Sequence, residues 1–349
     1  MAPPRACPTA RRLSQTHLCL QRRQCRGASG LRILTVSFHC PREHVQSRHL
    51  TSILDLSPED LERVLDVALS IKRDGTGPAL SGQVLALLFE KPSLRTRVSF
   101  EVAMSRLGGR SLYIGKEEVQ IGSREPVRDV ARVLSRMVNG VAIRTFDQAP
   151  LDEFASWSSV PVINALSDHE HPCQVLADLL TLRERFGTLR GLRLAYLGEG
   201  NNVARSLAYA AVLAGVEFVC ASPAGYALTE VDIGQASELP GGGSVLQTDD
   251  PVAAVRGAAA LYTDVWASMG EEHLLAERIE VFRDYQLNGE LLAAAPADAL
   301  VMHDLPAHRG EEITDEAIES PRSIVFDQAE NRLHAQQALL MLLMGRSPQ

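Results

Sequence analysis

What the chain lacks narrows its class first. Its longest apolar stretches, such as Ala338-Leu339-Leu340-Met341-Leu342-Leu343-Met344, fall far short of the ~20 residues a bilayer-crossing helix needs. Cysteine is scarce outside the N-terminus: four of the six (Cys7, Cys19, Cys25 and Cys40) stand there at spacings of 12, 6 and 15, which match no zinc pattern. Only Cys173 and Cys220 remain, as expected of inert packing thiols in a reducing compartment. There are no internal repeats and no low-complexity tract beyond the N-terminus. Positive charge is also short in the body. Residues 1–50 hold nine Arg, no Lys and the single acid Glu43, leaving 26 basic against 42 acidic residues elsewhere, a net −16 beneath the overall −8. Such an acidic body argues against nucleic acid as a partner, so an anionic substrate must meet a local cluster of cations.

What is present reads as a globular α/β protein. At 349 residues, 45% hydrophobic and 22% charged, the chain can build two domains, each with its own core. Residues 1–48 are Arg-rich, poor in acids and without sustained periodicity. They suit either a mitochondrial transit peptide or translation from a misplaced upstream start, and the abrupt opening of the body at Arg48-His49-Leu50-Thr51 favours the second, with Val45 as an alternative start. The expected location is accordingly cytoplasmic, or the mitochondrial matrix if the leader is genuine.

From Ser57 the pattern becomes regular. Ser57-Pro58-Glu59-Asp60 supplies a cap, a proline and early acids to a helix carrying Leu61, Val64, Leu65 and Ala68. The spacing then predicts strand 84–89, helix 94–107, strand 111–114, helix 125–138, strand 141–144, a short helix near 151–158 and strand 161–166. A long helix over 171–186 follows, then strand 192–197, helix 202–214, strands 217–221 and 244–247, helix 250–257, strand 260–265, helix 272–282, strand 299–302 and a last helix from about Ala329 to Met344. Pro223-Ala224-Gly225 and Gly241-Gly242-Gly243 read as surface turns. Strands alternating with amphipathic helices imply parallel sheets covered on both faces. The expected architecture is two doubly wound parallel-sheet α/β domains, over 49–170 and 188–326, joined by interdomain helices at 171–187 and 327–349.

The stretch that organises the chemistry is Ser93-Leu94-Arg95-Thr96-Arg97, between the apolar run Val84–Phe89 and a helical segment. A helix start offers unpaired N–H groups at the positive end of its dipole, and Ser93 and Thr96 add hydroxyls where Arg95 adds a fork. Taken alone, it reads first as a capped helix with surface arginines. Arg97 faces Glu101 at i+4, the pattern of a structural ion pair. Gly198-Glu199-Gly200-Asn201-Asn202-Val203 follows a strand and opens a helix, but Val203 replaces the third glycine a dinucleotide fingerprint requires.

Five further segments stand in register with the pentapeptide: Ile143-Arg144-Thr145, His171-Pro172-Cys173-Gln174, Asp264-Val265-Trp266-Ala267-Ser268-Met269-Gly270, His303-Asp304-Leu305-Pro306 and Glu330-Asn331-Arg332-Leu333-His334-Ala335-Gln336. In that order, from about Leu50 to about Gly345, they resemble the aspartate/ornithine carbamoyltransferase family, and Ser-Met-Gly resembles its ornithine branch. The resemblance implies the substrates carbamoyl phosphate and L-ornithine, no metal or organic cofactor, no nucleic-acid or membrane partner, and a homotrimer or trimer of trimers. By motif match it implies that Ser93, Leu94, Arg95 and Thr96 hold the phosphate with Arg144 and Arg332. His171 would donate to the carbonyl oxygen and Gln174 accept from the carbamoyl NH2. Gln120 would reach a neighbouring subunit's phosphate site. A cis Leu305-Pro306 bond would aim the Leu305 carbonyl at the carbamoyl nitrogen. Asn202 and the Met269 backbone would take the amino acid's carboxylate, Asp264 and Ser268 its α-ammonium, and Gly270 would let the Ser268-Met269 loop close. Arg144, His171, Thr96 and Asp304 would stand at the reacting atoms.

Two positions depart from the ornithine pattern. Leu94 replaces the usual Thr, whose backbone N–H still serves, and Asp304 replaces the Cys expected beside the δ-amine. A carboxylate there can accept the amine's proton but also stabilises the ammonium. Carbamoyl transfer to putrescine, to an N-acylated ornithine or to aspartate therefore stays open, as does a carbamoyltransferase-like binding protein impaired by Asp304.

Overall fold

The computed structural model describes residues 45–119, 122, 124–267 and 272–345. Almost all of the N-terminal segment therefore lies outside the described residues, as do Gln120, Ser268, Met269 and Gly270. Within them the body begins earlier than residue 49. Val45 is buried and the Gln46 N–H donates to both Asp60 carboxylate oxygens, at 3.2 and 3.3 Å.

The first domain runs α1 (Pro58–Asp74), β1 (Val84–Phe89), α2 (Leu94–Arg106), β2 (Arg110–Gly115), α3 (Lys116–Val119), α4 (Val127–Leu134), β3 (Gly140–Arg144), α5 (Gln148–Trp157) and β4 (Val162–Leu166). Ser57 caps α1 by accepting the Asp60 N–H at 3.1 Å, and Asp60 reaches back to the Ser57 N–H. The second domain follows α6 (Pro172–Phe186), with β5 (Arg193–Leu197), α7 (Asn202–Ala214), β6 (Glu217–Ala221), α8 (Glu230–Ser237), β7 (Ser244–Thr248), α9 (Pro251–Val255), β8 (Ala260–Thr263), α10 (Leu275–Phe282), α11 (Gly289–Ala294), β9 (Leu300–His303) and α12 (Asp315–Ile318). The chain ends in α13 (Val325–Met344), which packs against α6, α1 and α2. Among the described residues no helix is long and apolar enough to cross a membrane.

Both sheets are parallel, with strand orders β2-β1-β3-β4 and β7-β6-β5-β8-β9. Each chain path moves outward on one side of its first strand and returns on the other, so order reverses between β1 and β3 and between β5 and β8. Strand ends splay at such points and leave a crevice at the carboxyl edge. Every residue of β1 is buried, as is α6 from Pro172 to Leu182, because both are covered on all sides.

Several elements differ from the sequence expectation. The helix expected over 125–138 is only α4, ending where Ser135 Oγ turns back to the Ala131 carbonyl at 2.6 Å. The last helix begins at Val325, ahead of Ala329 and of the expected boundary at 327. The short helices α3, α8, α11 and α12 carry too few turns for periodicity to reveal. In α8 the capping box of Thr229 and Asp232 precedes Gly234, a residue that weakens a helical pattern. Gly241-Gly242-Gly243 is a packed turn: a Cβ at Gly241 would stand 2.3 Å from the Val212 carbonyl oxygen.

Candidate active site

The carboxyl edges of the two sheets enclose a cavity of about 790 Å3. Its cationic end is assembled from three places. Immediately after β1, Ser93 caps α2, its Oγ accepting the Thr96 N–H at 3.3 Å, so the first turn faces the cavity with N–H groups that have no helical partner. Arg95 lines this end from α2, and Arg144 is the last residue of β3. Arg332 reaches in from α13, fully buried, donating to Thr96 Oγ1 at 2.7 Å and to Gln174 Oε1 at 2.5 Å. Burial holds the Arg144 guanidinium down to about 10, and the neighbouring charges of Arg332 and Arg95 add to the effect. Burial lowers Arg332 and Arg95 as well. The Nε atoms of Arg144 and Arg332 are buried without a hydrogen-bond partner. This cluster of like charges needs an anion to complete it.

His171 stands where β4 leads into α6, its N–H bound to Ser206 Oγ at 2.9 Å and its ring among the cations. Burial, then Arg332 and Arg144, push the imidazole well below its ordinary value, so it is neutral. Its Nδ1 is buried without a partner. A neutral ring here can offer one N–H to a carbonyl oxygen without adding a fourth charge.

The other end is anionic. Asp264 follows β8 and accepts from the Val265 N–H at 2.7 Å and from Asn201 Nδ2 at 2.8 Å. Asp304 follows β9 beside it, since Thr263 and His303, the residues before the two acids, are register partners on β8 and β9. Burial and the Asp304 charge raise Asp264 well above the carboxylate range. Asp304 is held low despite its burial, first by His303 and also by Asp264 and Arg332. His303 Nε2 lies 3.1 Å from Glu312 Oε1, while its Nδ1 accepts the Leu305 N–H at 2.8 Å and lies 3.4 Å from Asp304. Leu305-Pro306 is cis, and Leu305 takes φ 61°. Asn202 opens α7 with Nδ2 donating to the Ser167 carbonyl at 2.7 Å. The glycine before it on this turn is packed: a Cβ on Gly200 would fall 2.3 Å from the Leu228 nitrogen.

The structure thus brings Ser93, Leu94, Arg95, Thr96, Arg144, His171, Asn202, Asp264, Asp304, Leu305 and Arg332 to one cavity. Gln174 is the exception among the described residues. It is not among the residues lining that cavity, and its amide accepts from Arg332 at 2.5 Å and donates through Nε2 to Asp178 at 2.8 Å. A buried guanidinium claims the nearest acceptor at higher energy than a neutral amide would. Arg97 meets Glu101 at 2.9 Å, as its spacing predicts.

Sequence reasoning missed several lining residues. Lys91, buried, pairs with Asp168 and lies 4.1 Å above the Phe146 ring. Its position two residues ahead of Ser93 was the available signal. Asn201, passed over for Asn202, both caps α7 and binds Asp264. Cys173 and Cys220 are buried, with thiols pushed up to about 12 by burial, and are unreactive.

Comparison with known proteins bears on this geometry. Residues 48–184 match the carbamoyl-P binding domain of the aspartate/ornithine carbamoyltransferases, and residues 190–343 match the family's Asp/Orn binding domain. A protein of Gloeobacter violaceus named ornithine carbamoyltransferase is 53% identical over 298 residues, 85% of this chain and 95% of that one. A Methanoculleus marisnigri protein of the same name is 52% identical over 298 residues, 84% and 96% of the two chains. The solved ornithine carbamoyltransferase of Pyrococcus furiosus superposes with a TM-score of 0.83 at 46% identity, covering 86% of this chain and 98% of its own. Two parallel-sheet domains, a cation-lined crevice where their strand orders reverse and matches across both halves lead to one conclusion: the chain belongs to the aspartate/ornithine carbamoyltransferase family.

Proposed function

We propose that the protein is an ornithine carbamoyltransferase, converting carbamoyl phosphate and L-ornithine to L-citrulline and phosphate. The observation that carries this reading is the polarity of one cavity, with three arginines and a helix start at one end and two carboxyls at the other. A phosphate dianion fits the first turn of α2 with Arg95, Arg144 and Arg332 around it. The carbonyl oxygen then faces Arg144, Thr96 and the neutral His171, donors suited to the oxyanion that forms as the amine attacks. Asn202 suits the acceptor's carboxylate and Asp264 its α-ammonium. Ser268 and Met269 join them only by the family pattern.

Aspartate as acceptor would place a further carboxylate against Asp264 and Asp304, and putrescine would leave Asn202 without a carboxylate to bind. Asp304, where the ornithine branch carries Cys, favours the second reading, a chain that binds carbamoyl phosphate but transfers it poorly or to another amine. Initial rates with ornithine, putrescine, an N-acylated ornithine and aspartate separate these. Citrulline forming fastest from ornithine supports the proposal; none at any pH between ~6 and ~10, a range reaching the δ-amine's own titration, sinks it.

The family resemblance further supports a homotrimer or trimer of trimers. Light scattering against the 38.0 kDa chain mass tests this.

A further inference from the structure

Among the described residues the His171 ring makes no hydrogen bond: Nδ1 is buried without a partner, and at the start of α6 the side chain caps nothing. Its aim is inherited from its backbone, where the N–H donates to Ser206 Oγ at 2.9 Å. Ser206, fully buried on α7, donates its own O–H to Glu170 Oε2 at 3.0 Å. A serine hydroxyl has one proton to give and lone pairs with which to accept, so both bonds hold at once. Glu170, 1% exposed, closes the chain. Its Oε2 also accepts the Ile53 N–H at 3.0 Å, and its Oε1 meets Ser52 Oγ, both from the turn ahead of α1. Three segments far apart in sequence thus converge on one buried carboxyl, next in the chain to the imidazole that lines the cavity.

We propose that Glu170 is a positioning residue for this site: through Ser206 it fixes the backbone of His171 and so aims the imidazole at the carbonyl oxygen. This role rests on the carbamoyl-transfer reading, in which His171 faces that oxygen. The N–H at a helix start has no helical partner, so without Ser206 it would be buried unpaired and the junction would relax to find an acceptor. The Ser206 hydroxyl could by itself settle in any of three staggered positions, and the Glu170 acceptor selects the one that leaves a lone pair toward His171. Glu170 is held in turn from the first domain by Ser52 and Ile53. These ties survive titration of the carboxyl. Ser52 Oγ can donate to Oε1 or accept from it, while Oε2 accepts from Ser206 and Ile53 in either state.

His171 needs this support more than its neighbour Arg332, whose guanidinium is itself bonded to Thr96 and Gln174. A donor stabilises an oxyanion only within hydrogen-bond reach of where the charge develops, so a shift of a fraction of an ångström matters. That charge exists in the transition state and not in bound carbamoyl phosphate. A misplaced ring therefore lowers kcat and leaves binding of the phosphate, held by the arginines, nearly as it was.

The test compares the full-length wild type with Glu170→Ala, Glu170→Gln and Ser206→Ala, alone and with His171→Ala, each checked for folding by thermal unfolding. Glu170→Ala and Ser206→Ala are expected to lose ~10–10²-fold in kcat, with the carbamoyl phosphate KM within about twofold of wild type. Glu170→Gln should stay within about threefold, because its amide oxygen can accept from Ser206 and Ile53 and its NH2 can donate to Ser52. In His171→Ala, adding Ser206→Ala should cost under about twofold more, since no ring is left to misplace. With isotope-labelled histidine, the His171 ring resonance, identified by its absence from His171→Ala, should move in Glu170→Ala and Ser206→Ala and hold in Glu170→Gln. Equal losses with and without His171, a Gln variant as slow as the Ala variant, or an unmoved ring resonance overturns the role. Should Glu170→Ala not fold, Ser206→Ala, which removes a single hydroxyl, decides the matter. A wild type that makes no citrulline overturns instead the carbamoyl-transfer reading, and the ring resonance still decides whether Glu170 positions His171.

Discussion

The arginine end and the carboxyl end of the cavity are built on opposite plans. At the first, the charges are met by neutral groups: Arg332 by Thr96 and Gln174, with two guanidinium Nε atoms left without a partner. Among the described residues no carboxylate meets them at hydrogen-bond distance, so their charge is available to a dianion. At the second, Asp264 and Asp304 leave neighbouring strands side by side, and burial together with the Asp304 charge raises Asp264 well above the carboxylate range. Unmet charge of one sign binds tightly and adjusts little; a pair of like charges adjusts by gaining or losing a proton. The first plan suits holding a substrate and the second suits moving a proton on one.

The largest effect expected from breaking this contrast is at Arg332. Replacing it with Met keeps much of the side-chain volume and removes the charge together with the ties to Thr96 and Gln174. We expect kcat/KM to fall ~10³-fold, about 4 kcal/mol of transition-state stabilisation. A loss near tenfold in steady-state assays would mean that Arg95 and Arg144 suffice.

A smaller effect, on stability, tests a buried carboxyl of a third kind. Glu170 precedes His171 and accepts from Ser52 Oγ, from the Ile53 N–H at 3.0 Å and from Ser206 Oγ at 3.0 Å, tying both domains together. Burial nonetheless raises it to about 7 from an ordinary 4.5. Because the folded state holds the proton more tightly, its stabilisation is complete below the ordinary value and is lost as pH rises through about 7. The loss is at most about 3 kcal/mol. Glu170→Gln cannot ionise and can donate to Ser52, so its melting temperature between pH ~5 and ~8 should vary less than that of the wild type. Parallel profiles would show that Glu170 ionises freely.

Asn201→Ala comes next. It strips one N–H donor from Asp264 and uncaps α7, whose Val203 and Ala204 N–H groups Asn201 accepts at 3.0 Å. We expect a loss of about 1 kcal/mol in stability. The acceptor KM should rise several-fold while the carbamoyl phosphate KM stays put, and a shift in both would contradict two separable ends.

The same contrast explains what could be read in the sequence. The phosphate end rests on local signals: an apolar run, a Ser cap, an arginine at a strand end. Each has a physical meaning within a few residues, and both sheets were legible for the same reason. The amine end depends on contacts between segments far apart in sequence. Asp264 meets Asp304 only because β8 and β9 are neighbours in register, and Asn201 reaches Asp264 only because β5 lies on the other side of β8. The partners of Gln174 were illegible for a related reason, since Arg332 and Asp178 come from another helix and the next turn of its own. Short helices such as α8 and α11 were missed because one or two turns cannot establish a period.

The smallest expected effect isolates the difference between met and unmet charge. Arg97 sits two residues from Arg95 on the same helix, yet its guanidinium bonds Glu101 at 2.9 Å and lies 3.9 Å over the Tyr113 ring. An exposed i,i+4 pair contributes ~0.3–0.5 kcal/mol and the ring contact about as much again. Arg97→Ala should therefore cost under ~1 kcal/mol in denaturant unfolding. It should leave kcat/KM within about twofold, a difference of under half a kcal/mol. Proximity to the phosphate turn alone would predict a loss approaching that of Arg332→Met. Since Arg97's charge is already spent on Glu101 and Tyr113, the two arginines should separate by more than a hundredfold in activity, and a smaller gap would show that summed positive potential, not the unpaired guanidinium groups, holds the substrate.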